Sequence, residues 1–497
     1  MPPKGGLFPM KMDGKPTPYQ SERPVRKPFV RGRRELAPTG NAVDSWLHCR
    51  AKNDTLTGAK CRAWGKNERA PQNRHTVALD GGLMNLRRTS TAIVFALSLA
   101  GVAALAQSAN QVLHLAIGDP ARRDREVPLQ LDVIVDTRTG DTITPAQLVS
   151  RLAGVRLLLV GEEHTNIDIH RIQARIIEGL QAAGRRVLIG LEMYPYTEQA
   201  SLDRWRDGLL TEEGFVRLSR WYDNWGYNWE YYRDIFLFAR DHHIPMYALN
   251  APREVVAAVR RKGFANLTPE EAAHIPKDID VSNPDHLAFF KATFAGEMGG
   301  PMMHGGATDD MWKAMLSAQA TWDATMGYNA VQALKQAGNN DAVMVVLVGS
   351  GHVAYGLGIE HQARQWFTGA IASVVPMEVT DNLVPIKTVR ASYANFIWGI
   401  AEEIDSLYPT PLISTRPTED GKALQVLEPE PRSLAAQAGF KVNDVLVSMD
   451  GTPVPDKETL NRLVAGKRWG DVAVFVVRRG DATQTLTMPF RRTATTK

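Results

Sequence analysis

Short runs of branched apolar residues recur along the chain between residues 127 and 375. Such runs are typical of strands buried on both faces, and they occur at 131–135, 156–160, 187–191, 245–249, 343–348 and 370–375. Between them lie stretches whose apolar residues recur every three or four positions, as at Ile169, Ile172 and Ile176, and this period predicts amphipathic helices. The alternation predicts an α/β domain over residues 127–395, with a mainly parallel sheet and helices on both faces.

A longer segment interrupts this alternation before the run at 343–348. From Thr268 to about Leu334 the pattern indicates helix and loop, and it predicts a helical insertion. The insertion contains a stretch rich in glycine and methionine at 296–306, which cannot hold regular structure.

A second and smaller pattern follows residues 408–430, which are rich in proline and charge. Short runs at 423–427, 445–449 and 472–477 predict strands, and residues 457–464 predict one helix. We therefore expect a separate α+β domain over residues 408–493.

The first hundred residues predict export. Met84 opens a basic stretch that leads into an apolar run at 91–105 and a small-x-small cleavage signal at 104–106, which is the anatomy of a secretory signal peptide. A transmembrane anchor is the alternative, but the run is shorter than the roughly 20 residues that cross a bilayer. Residues 1–83 are rich in Pro, Gly and Arg without apolar periodicity, and we interpret them as an extension upstream of the true start.

Cleavage after residue 106 changes the charge of the chain. The whole sequence has 58 Lys and Arg against 54 Asp and Glu, and residues 1–106 hold 18 and 7 of these, which leaves 40 against 47, or −7. We therefore expect no nucleic-acid partner. Cys49 and Cys61 are removed as well, so disulfides, thiolate ligands and a cysteine nucleophile are excluded, and a periplasmic or secreted protein is expected.

Polar side chains follow four of the predicted strands. Glu162 and His164 come after the second strand, Glu192 after the third, Asn250 and Arg253 after the fourth, and His352 after the fifth. Both histidines stand in the pattern G-x-x-H. Because the carboxyl ends of parallel strands meet at one edge of a sheet, and because a glycine permits a tight turn there, we expect these side chains to converge.

Two kinds of chemistry fit this set. His164, His352 and Glu192 or Glu162 supply ligands for a divalent metal ion that would activate water. The same side chains can also act as acid and base without a metal. The sequence leaves both open.

The segments LVGEEH at 159–164, LEM at 191–193, YNWEYYR at 227–233, NAPRE at 250–254 and GSGH at 349–352 together resemble the ChaN haem-binding uptake family, of the Tiki and TraB superfamily. The resemblance covers about residues 127–375. It implies haem binding through a tyrosine, a homodimer and a role in iron acquisition.

The resemblance also assigns residues. Glu162, His164, Glu192 and His352 correspond to the shared superfamily site, with Arg253 as a supporting cation, and a metal-dependent hydrolase or peptidase is the alternative function that it implies. Tyr355, Tyr232 and Tyr227 are the candidates for the haem ligand, with Tyr355 favoured. A scaffold with a degenerate site is the third hypothesis.

Two apolar groups are weaker candidates for a haem pocket. Trp312, Met315, Trp322 and Met326 recur at near-helical spacing and would line a pocket, although an ordinary buried helix face is the favoured interpretation. Met298, Met302, Met303 and His304 would bind copper(I) or line the mouth of the pocket, unless they form a plain loop.

The C-terminal segments GKALQVLEPE at 421–430, SLAAQAG at 433–439, KVNDVLV at 441–447 and the Asp450-Gly451 pair resemble bacterial PDZ domains. The resemblance implies binding of peptide or protein C-termini beside Leu412 and Ile413, with Leu460 and Leu463 lining the pocket. The usual glycine of this loop is absent.

Overall fold

A computed structural model describes residues 111–298, 308–338, 341–379, 387–403, 406–411, 413–429 and 433–492. The predicted signal peptide and upstream extension lie outside these residues, and so do Met302, Met303 and His304. Across the described ranges, no helix combines the length and the apolar character needed to cross a bilayer.

The first domain alternates strands and helices. Its strands are β1 Glu126–Pro128, β2 Ile134–Asp136, β3 Asp141–Ile143, β4 Leu157–Glu162, β5 Arg186–Pro195, β6 Met246–Asn250, β7 Ala342–Gly349, β8 Ile371–Val379, β9 Thr388–Arg390 and β10 Phe396–Ala401. Its α-helices are α1 Pro145–Arg151, α2 Ile167–Ala182, α3 Gln199–Arg206, α4 Glu212–Leu218, α5 Trp221–Asn224, α6 Arg233–Asp241, α7 Arg253–Lys262, α8 Pro269–Ala272, α9 Pro284–Met298, α10 Asp309–Ala337 and α11 Ile359–Ala363.

Eight of these strands form one sheet in the order β3-β2-β10-β8-β4-β7-β5-β6. The six strands from β10 to β6 are parallel, and the hairpin of β2 and β3 adds two antiparallel strands at one edge. β1 and β9 form a separate antiparallel pair. The predicted mainly parallel α/β fold is confirmed.

Alternate residues of the central strands point to opposite faces, and each face has its own core. On β4, Leu158 and Val160 pack with α2, α3 and α6, whereas Leu157 and Leu159 pack with α10 and α11. A strand with both faces covered needs apolar residues at every position, which explains the unbroken runs in the sequence.

The predicted helical segment before β7 is present, and its long helix belongs to the core of the domain. Thr308 caps α10 by accepting a hydrogen bond from the amide of Met311, and Gly338 ends the helix in the left-handed region, at φ 64°. Met326 and Ala330 of α10 are buried against the sheet. α10 therefore covers the sheet as the connection from β6 to β7 and is not an addition to its periphery.

The second domain contains β11 Ile413–Pro417, β12 Leu424–Pro429, α12 Leu434–Ala438, β13 Val445–Met449, β14 Thr452–Pro453, α13 Lys457–Ala465, β15 Val472–Arg479 and β16 Ala482–Pro489. Its sheet is antiparallel, in the order β11-β12-β13-β15-β16, with β14 paired to β13. Asp450 and Gly451 both have positive φ and form the two-residue turn between β13 and β14. The predicted small α+β domain is confirmed.

Candidate functional site

The strand register brings the polar strand ends together. Glu162 is the backbone partner of Gly349 across β4 and β7, and Leu191, which precedes Glu192, is paired with Leu347 across β7 and β5. The three neighbouring strands β4, β7 and β5 therefore deliver Glu162, Glu192 and the turn after β7 to one edge.

The sequence predicts a tight turn at Gly161, but the structure gives this glycine a different role. It lies inside β4, which continues through Glu162. A Cβ at Gly161 would stand 2.8 Å from the Ser350 Oγ and 3.1 Å from Val375. The glycine is needed because the turn after β7 passes close to the strand, not because the backbone turns there.

The buried carboxylate of Glu162 is the centre of one half of the site. Its Oε1 accepts hydrogen bonds from the Tyr232 hydroxyl at 2.6 Å and from His164 Nδ1 at 2.9 Å, and its Oε2 accepts one from Gln173 Nε2 at 2.7 Å. Burial acts to raise the pKa of Glu162, but the hydrogen bond from His164 and the neighbouring His170 outweigh burial and lower the pKa to about 2. Glu162 is therefore held as a carboxylate.

Helix α2 supplies two polar side chains of this half that the sequence did not assign to the site. Asn166 caps the helix by accepting from the amides of Asp168 and Ile169. His170 and Gln173 follow three residues apart on the buried face, and their side chains are 3.0 Å apart. A polar i,i+3 pair within an apolar helix face was the available signal.

His352 is the centre of the other half. Its Nδ1 lies 2.6 Å from Asp323 Oδ1, and its Nε2 lies 3.4 Å from Glu192 Oε1. Burial favours the neutral imidazole and acts to lower the pKa of His352, but Asp323 and Glu192 outweigh burial and raise the pKa well above its ordinary value. Glu192 is fixed in turn, since its Oε2 accepts from the Gly349 amide at 2.7 Å.

Asp323 is the residue of this half that sequence reasoning missed. It lies on α10 among apolar neighbours and is fully buried. Its Oδ2 has no hydrogen-bond partner among the described residues, and His286 Nε2 lies 3.9 Å from it. A lone acidic residue on an apolar helix face was the only sequence signal.

The two halves lie close enough to influence each other. Burial acts to raise the pKa of Glu192, but His352 and also His164 of the other half outweigh burial and lower the pKa. The Ser350 hydroxyl of the turn after β7 donates to the backbone oxygen of Glu162 at 3.3 Å. The site therefore pairs each histidine with a buried carboxylate along one sheet edge.

Aromatic rings cover His164. The ring of Trp225 packs edge-on at 4.7 Å from the imidazole centroid, and the ring of Tyr227 lies at 5.0 Å. On the other half, the ring of Trp322 lies edge-on at 6.4 Å from His352. We call residues 221–232, which include α5 and the rings on His164, the aromatic segment.

The four predicted wall residues of α10 have different surroundings. Trp322 is half-buried beside His352, and Met326 is buried in the domain core. Trp312 and Met315 pack instead in a small cluster with Phe290 of α9. The side chain of Met298 is outside the described part of the structure.

The three candidate tyrosines differ in what their hydroxyl groups do. Tyr355, the favoured one, donates to the backbone oxygen of Val112 at 2.7 Å and accepts from the Leu115 amide at 3.1 Å, and burial raises its pKa. Burial likewise raises the pKa of Tyr232 well above its usual value, and its hydroxyl donates to Glu162. Tyr227 is half-buried beside His164.

Arg253 supports the site from outside. The side chain is exposed, and its Nη1 donates to the backbone oxygen of Asp223 at 2.8 Å while its Nη2 donates to that of Asn224. These carbonyls end α5. Arg253 therefore contacts the aromatic segment at the end of α5.

The neighbouring strand β8 adds a carboxyl group that the sequence did not reveal. Glu378 Oε1 accepts from Asn166 Nδ2 at 2.7 Å and from the Glu403 amide at 3.1 Å. Burial raises the pKa of Glu378 to about 7. Glu378 therefore titrates near neutral pH at the margin of the site.

The candidate metal ligands His164, His352 and Glu192 are hydrogen-bonded to neighbouring groups. Within the described ranges, no three His, Cys, Asp or Glu side chains form a group that could hold a metal ion.

The predicted peptide groove of the second domain is partly described. Ile413 begins β11, which forms one edge of the sheet, and its side chain packs on the domain core. Leu460 of α13 is buried and Leu463 half-buried in the same core. Leu412 lies outside the described residues.

Comparison with known proteins agrees with both domains. Residues 148–362 match the family model of haem-binding uptake, Tiki superfamily, ChaN, and residues 411–489 match the model of PDZ domains. The chain thus joins an α/β domain of the ChaN type to a PDZ domain. No curated protein matches the chain.

Three solved structures are similar to parts of the chain. ChaN of Campylobacter jejuni with cofacial haem is 17% identical, covers 54% of this chain and 98% of its own, and has a TM-score of 0.42. The HtrA3 PDZ domain with a phage-derived ligand is 21% identical over 16% of this chain and 83% of its own, with a TM-score of 0.15. An erythromycin esterase mutant in its open conformation is 11% identical over 57% and 99%, with a TM-score of 0.32.

Proposed function

We propose that the ChaN-type domain binds haem at the edge formed by β4, β7 and β5, and that Tyr227 supplies the iron ligand. The observation that carries this proposal is the position of Tyr227, half-buried and packed with Trp225 against His164. A haem site needs apolar walls and an axial donor, and an aromatic surface with a tyrosine oxygen offers both. When bound, the haem iron supplies the redox and ligand chemistry.

The protein's own residues hold and orient that surface. Tyr232 is fixed by its hydrogen bond to Glu162, and Arg253 fixes the end of α5. We assign the ligand role to Tyr227 because its ring packs with Trp225 against His164 at the sheet edge, whereas the Tyr355 hydroxyl lies between backbone groups of Val112 and Leu115.

Absorption titration with hemin tests haem binding. We expect a saturable shift of the Soret band at a fixed stoichiometry per chain, both for the full chain and for protein that starts at Gln107. A change that grows without saturation would contradict the proposal.

A second candidate function follows from the pairing of His352 with Asp323 and Glu192. His352, held protonated, would give a proton to a leaving group, while His164 beside Glu162 would take a proton from water as the water oxygen attacks a carbonyl carbon. This acid–base mechanism is one of the two chemistries that the sequence left open, and it uses the observed pairing of each histidine with a buried carboxylate.

Hydrolysis of p-nitrophenyl acetate tests the second candidate. We expect turnover by the wild-type chain that is lost in both His164→Ala and His352→Ala. Equal rates in the wild type and in both variants would contradict this function.

For the whole protein, we propose export through the signal peptide at 84–106, a periplasmic role in haem uptake or handling, and recruitment of a protein C-terminus by the PDZ domain. Formation of a homodimer is part of the same proposal. Mass spectrometry of protein recovered from the periplasm tests export, since the expected N-terminus is Gln107, and an uncleaved chain retained in the cytoplasm would contradict it.

A further inference from the structure

The second domain touches the first domain at the aromatic segment. Helix α13 packs against α5. Asn461 Nδ2 of α13 donates to the backbone oxygen of Tyr222 at 2.8 Å, and Asn228 Nδ2 donates back to the backbone oxygen of Ala465 at 3.0 Å. Two side-chain amides therefore join the helix to both ends of the loop that carries Trp225 and Tyr227.

The connection between the domains adds further contacts to the same segment. The Tyr231 hydroxyl accepts from the Tyr408 amide at 3.2 Å, and the two rings meet edge-on at 5.2 Å. The Arg468 guanidinium lies 4.7 Å from the centroid of the Tyr408 ring. Trp469 Nε1 donates to the backbone oxygen of Ser406 at 2.8 Å.

The same segment contacts the site on its inner side. Trp225 and Tyr227 pack on His164, and the Tyr232 hydroxyl donates to Glu162. A single stretch of twelve residues, 221–232, thus has α13 on one side and the buried carboxylate of the site on the other.

Helix α13 also belongs to the predicted peptide groove. Leu460 and Leu463 pack toward the core of the PDZ domain, while Asn461 contacts the first domain. A peptide that adds to the edge strand β11 would pack beside the helix. The groove and the aromatic segment therefore share one helix.

We propose that the PDZ domain positions the aromatic wall of the haem site, so that its peptide groove and the site are coupled through α13 and the aromatic segment. A ligand that stabilises α13 in this position stabilises the wall and strengthens binding at the site. By linkage, a ligand at the site stabilises α13 to the same extent. Asn461 and Asn228 are positioning residues. The part of this proposal that is measured with hemin rests on the proposed function, whereas the contact of α13 with the aromatic segment does not.

Asn461→Asp tests the coupling in the full chain. The change removes the donor to Tyr222 and places a carboxylate against its carbonyl oxygen. Asn228→Asp does the same toward Ala465 but keeps the oxygen that accepts from the Glu230 amide. Asn266→Asp is the matched control, because Asn266 Nδ2 donates to the Lys262 carbonyl at the same 2.8 Å on an exposed surface of the first domain.

Hydrogen–deuterium exchange and hemin titration are the measurements. We expect Asn461→Asp and Asn228→Asp to speed exchange within 221–232 on the order of 5-fold or more and to weaken hemin binding by a similar factor, with the control unchanged. Hemin should slow exchange within α13 of the wild type but not of Asn461→Asp.

The coupling would be overturned if residues 221–232 exchanged as slowly in Asn461→Asp as in the control. It would also be overturned if hemin bound to the wild type without changing the exchange rate of α13. If the wild type binds no hemin, the proposed function fails. The hydrogen–deuterium exchange rates of residues 221–232 in the variants, measured without hemin, still decide whether α13 positions the aromatic segment.

Discussion

At the scale of single residues, the site consists of buried charged groups joined by ion pairs and hydrogen bonds. Asp323 and Glu192 flank His352, and Glu162 is surrounded by donors from His164, Tyr232 and Gln173. Burying an unpaired charge is costly, so the stability of each buried charge depends on its partner. The side chains that the sequence did not reveal are partners of this kind, because a partner on a distant helix leaves no local pattern.

Asp323→Asn should show this dependence directly. The amide keeps an acceptor for His352 Nδ1 but removes the negative charge, which leaves a buried imidazole with weaker support. We expect the free energy of unfolding, measured by urea denaturation, to fall by about 3 kcal/mol. Asp310→Asn, an exposed change on the same helix, should leave the urea midpoint unchanged. Equal midpoints for the two variants would show that Asp323 carries no such role.

Glu378 should make stability depend on pH. Its pKa is about 7 in the folded protein, against an ordinary value of 4.5. Between these values the folded state binds a proton that the unfolded state lacks, so stability falls as pH rises from 4.5 to 7 and the full penalty remains above 7.

Glu378→Gln keeps the acceptor oxygen and removes the titration. At pH 8 we expect this variant to have a higher melting temperature than the wild type, with a free energy of unfolding greater by at most about 3 kcal/mol. At pH 4 the two proteins should have the same melting temperature. Melting curves across this range provide the measurement, with Glu178→Gln, an exposed change on α2, as the control. A wild-type advantage at pH 8 would contradict the assignment.

At the scale of elements, the apolar runs predicted β4 to β8 to within a few residues, because a strand covered on both faces needs apolar residues throughout. No run predicted β10, which lies in the same sheet beyond the predicted end of the domain at residue 395. The run at 343–348 became β7 at Ala342–Gly349. The role of the long helix was harder to predict. α10 carries Asp323 and packs on the sheet, yet only the strand order shows that it connects β6 to β7 across the core.

The close approach of β4 and the turn after β7 gives a prediction at this scale. Gly161→Ala would force its methyl group against Ser350 and Val375, and because these are packed neighbours the turn must shift. We expect the free energy of unfolding, measured by thermal denaturation, to fall by about 1–3 kcal/mol, and we expect hemin to bind more weakly.

Gly154→Ala is the matched control, because nothing lies within 4 Å of its added methyl group. The control should melt at the wild-type temperature. Equal melting temperatures for Gly161→Ala and the control would mean that the turn has room to move.

At the scale of the whole molecule, the chain combines a ChaN-type domain with a PDZ domain, and both classes could be predicted from short motifs at strand ends and turns. The contact between them could not, because the amides of Asn461 and Asn228 bond to backbone carbonyls, which any residue can offer. The sequence did not distinguish the three candidate tyrosines either, because what separates them is their packing and their hydroxyl partners.

Hemin titration of Tyr227→Phe beside Tyr355→Phe in the full chain tests the proposed haem ligand most directly. Both changes remove one hydroxyl group and keep the ring. If Tyr227 is the ligand, its variant should lose at least about tenfold in affinity, equivalent to about 1.4 kcal/mol, and should lose the wild-type Soret position, while Tyr355→Phe retains both. Wild-type binding by Tyr227→Phe, or loss of binding in Tyr355→Phe alone, would rule out Tyr227 as the ligand.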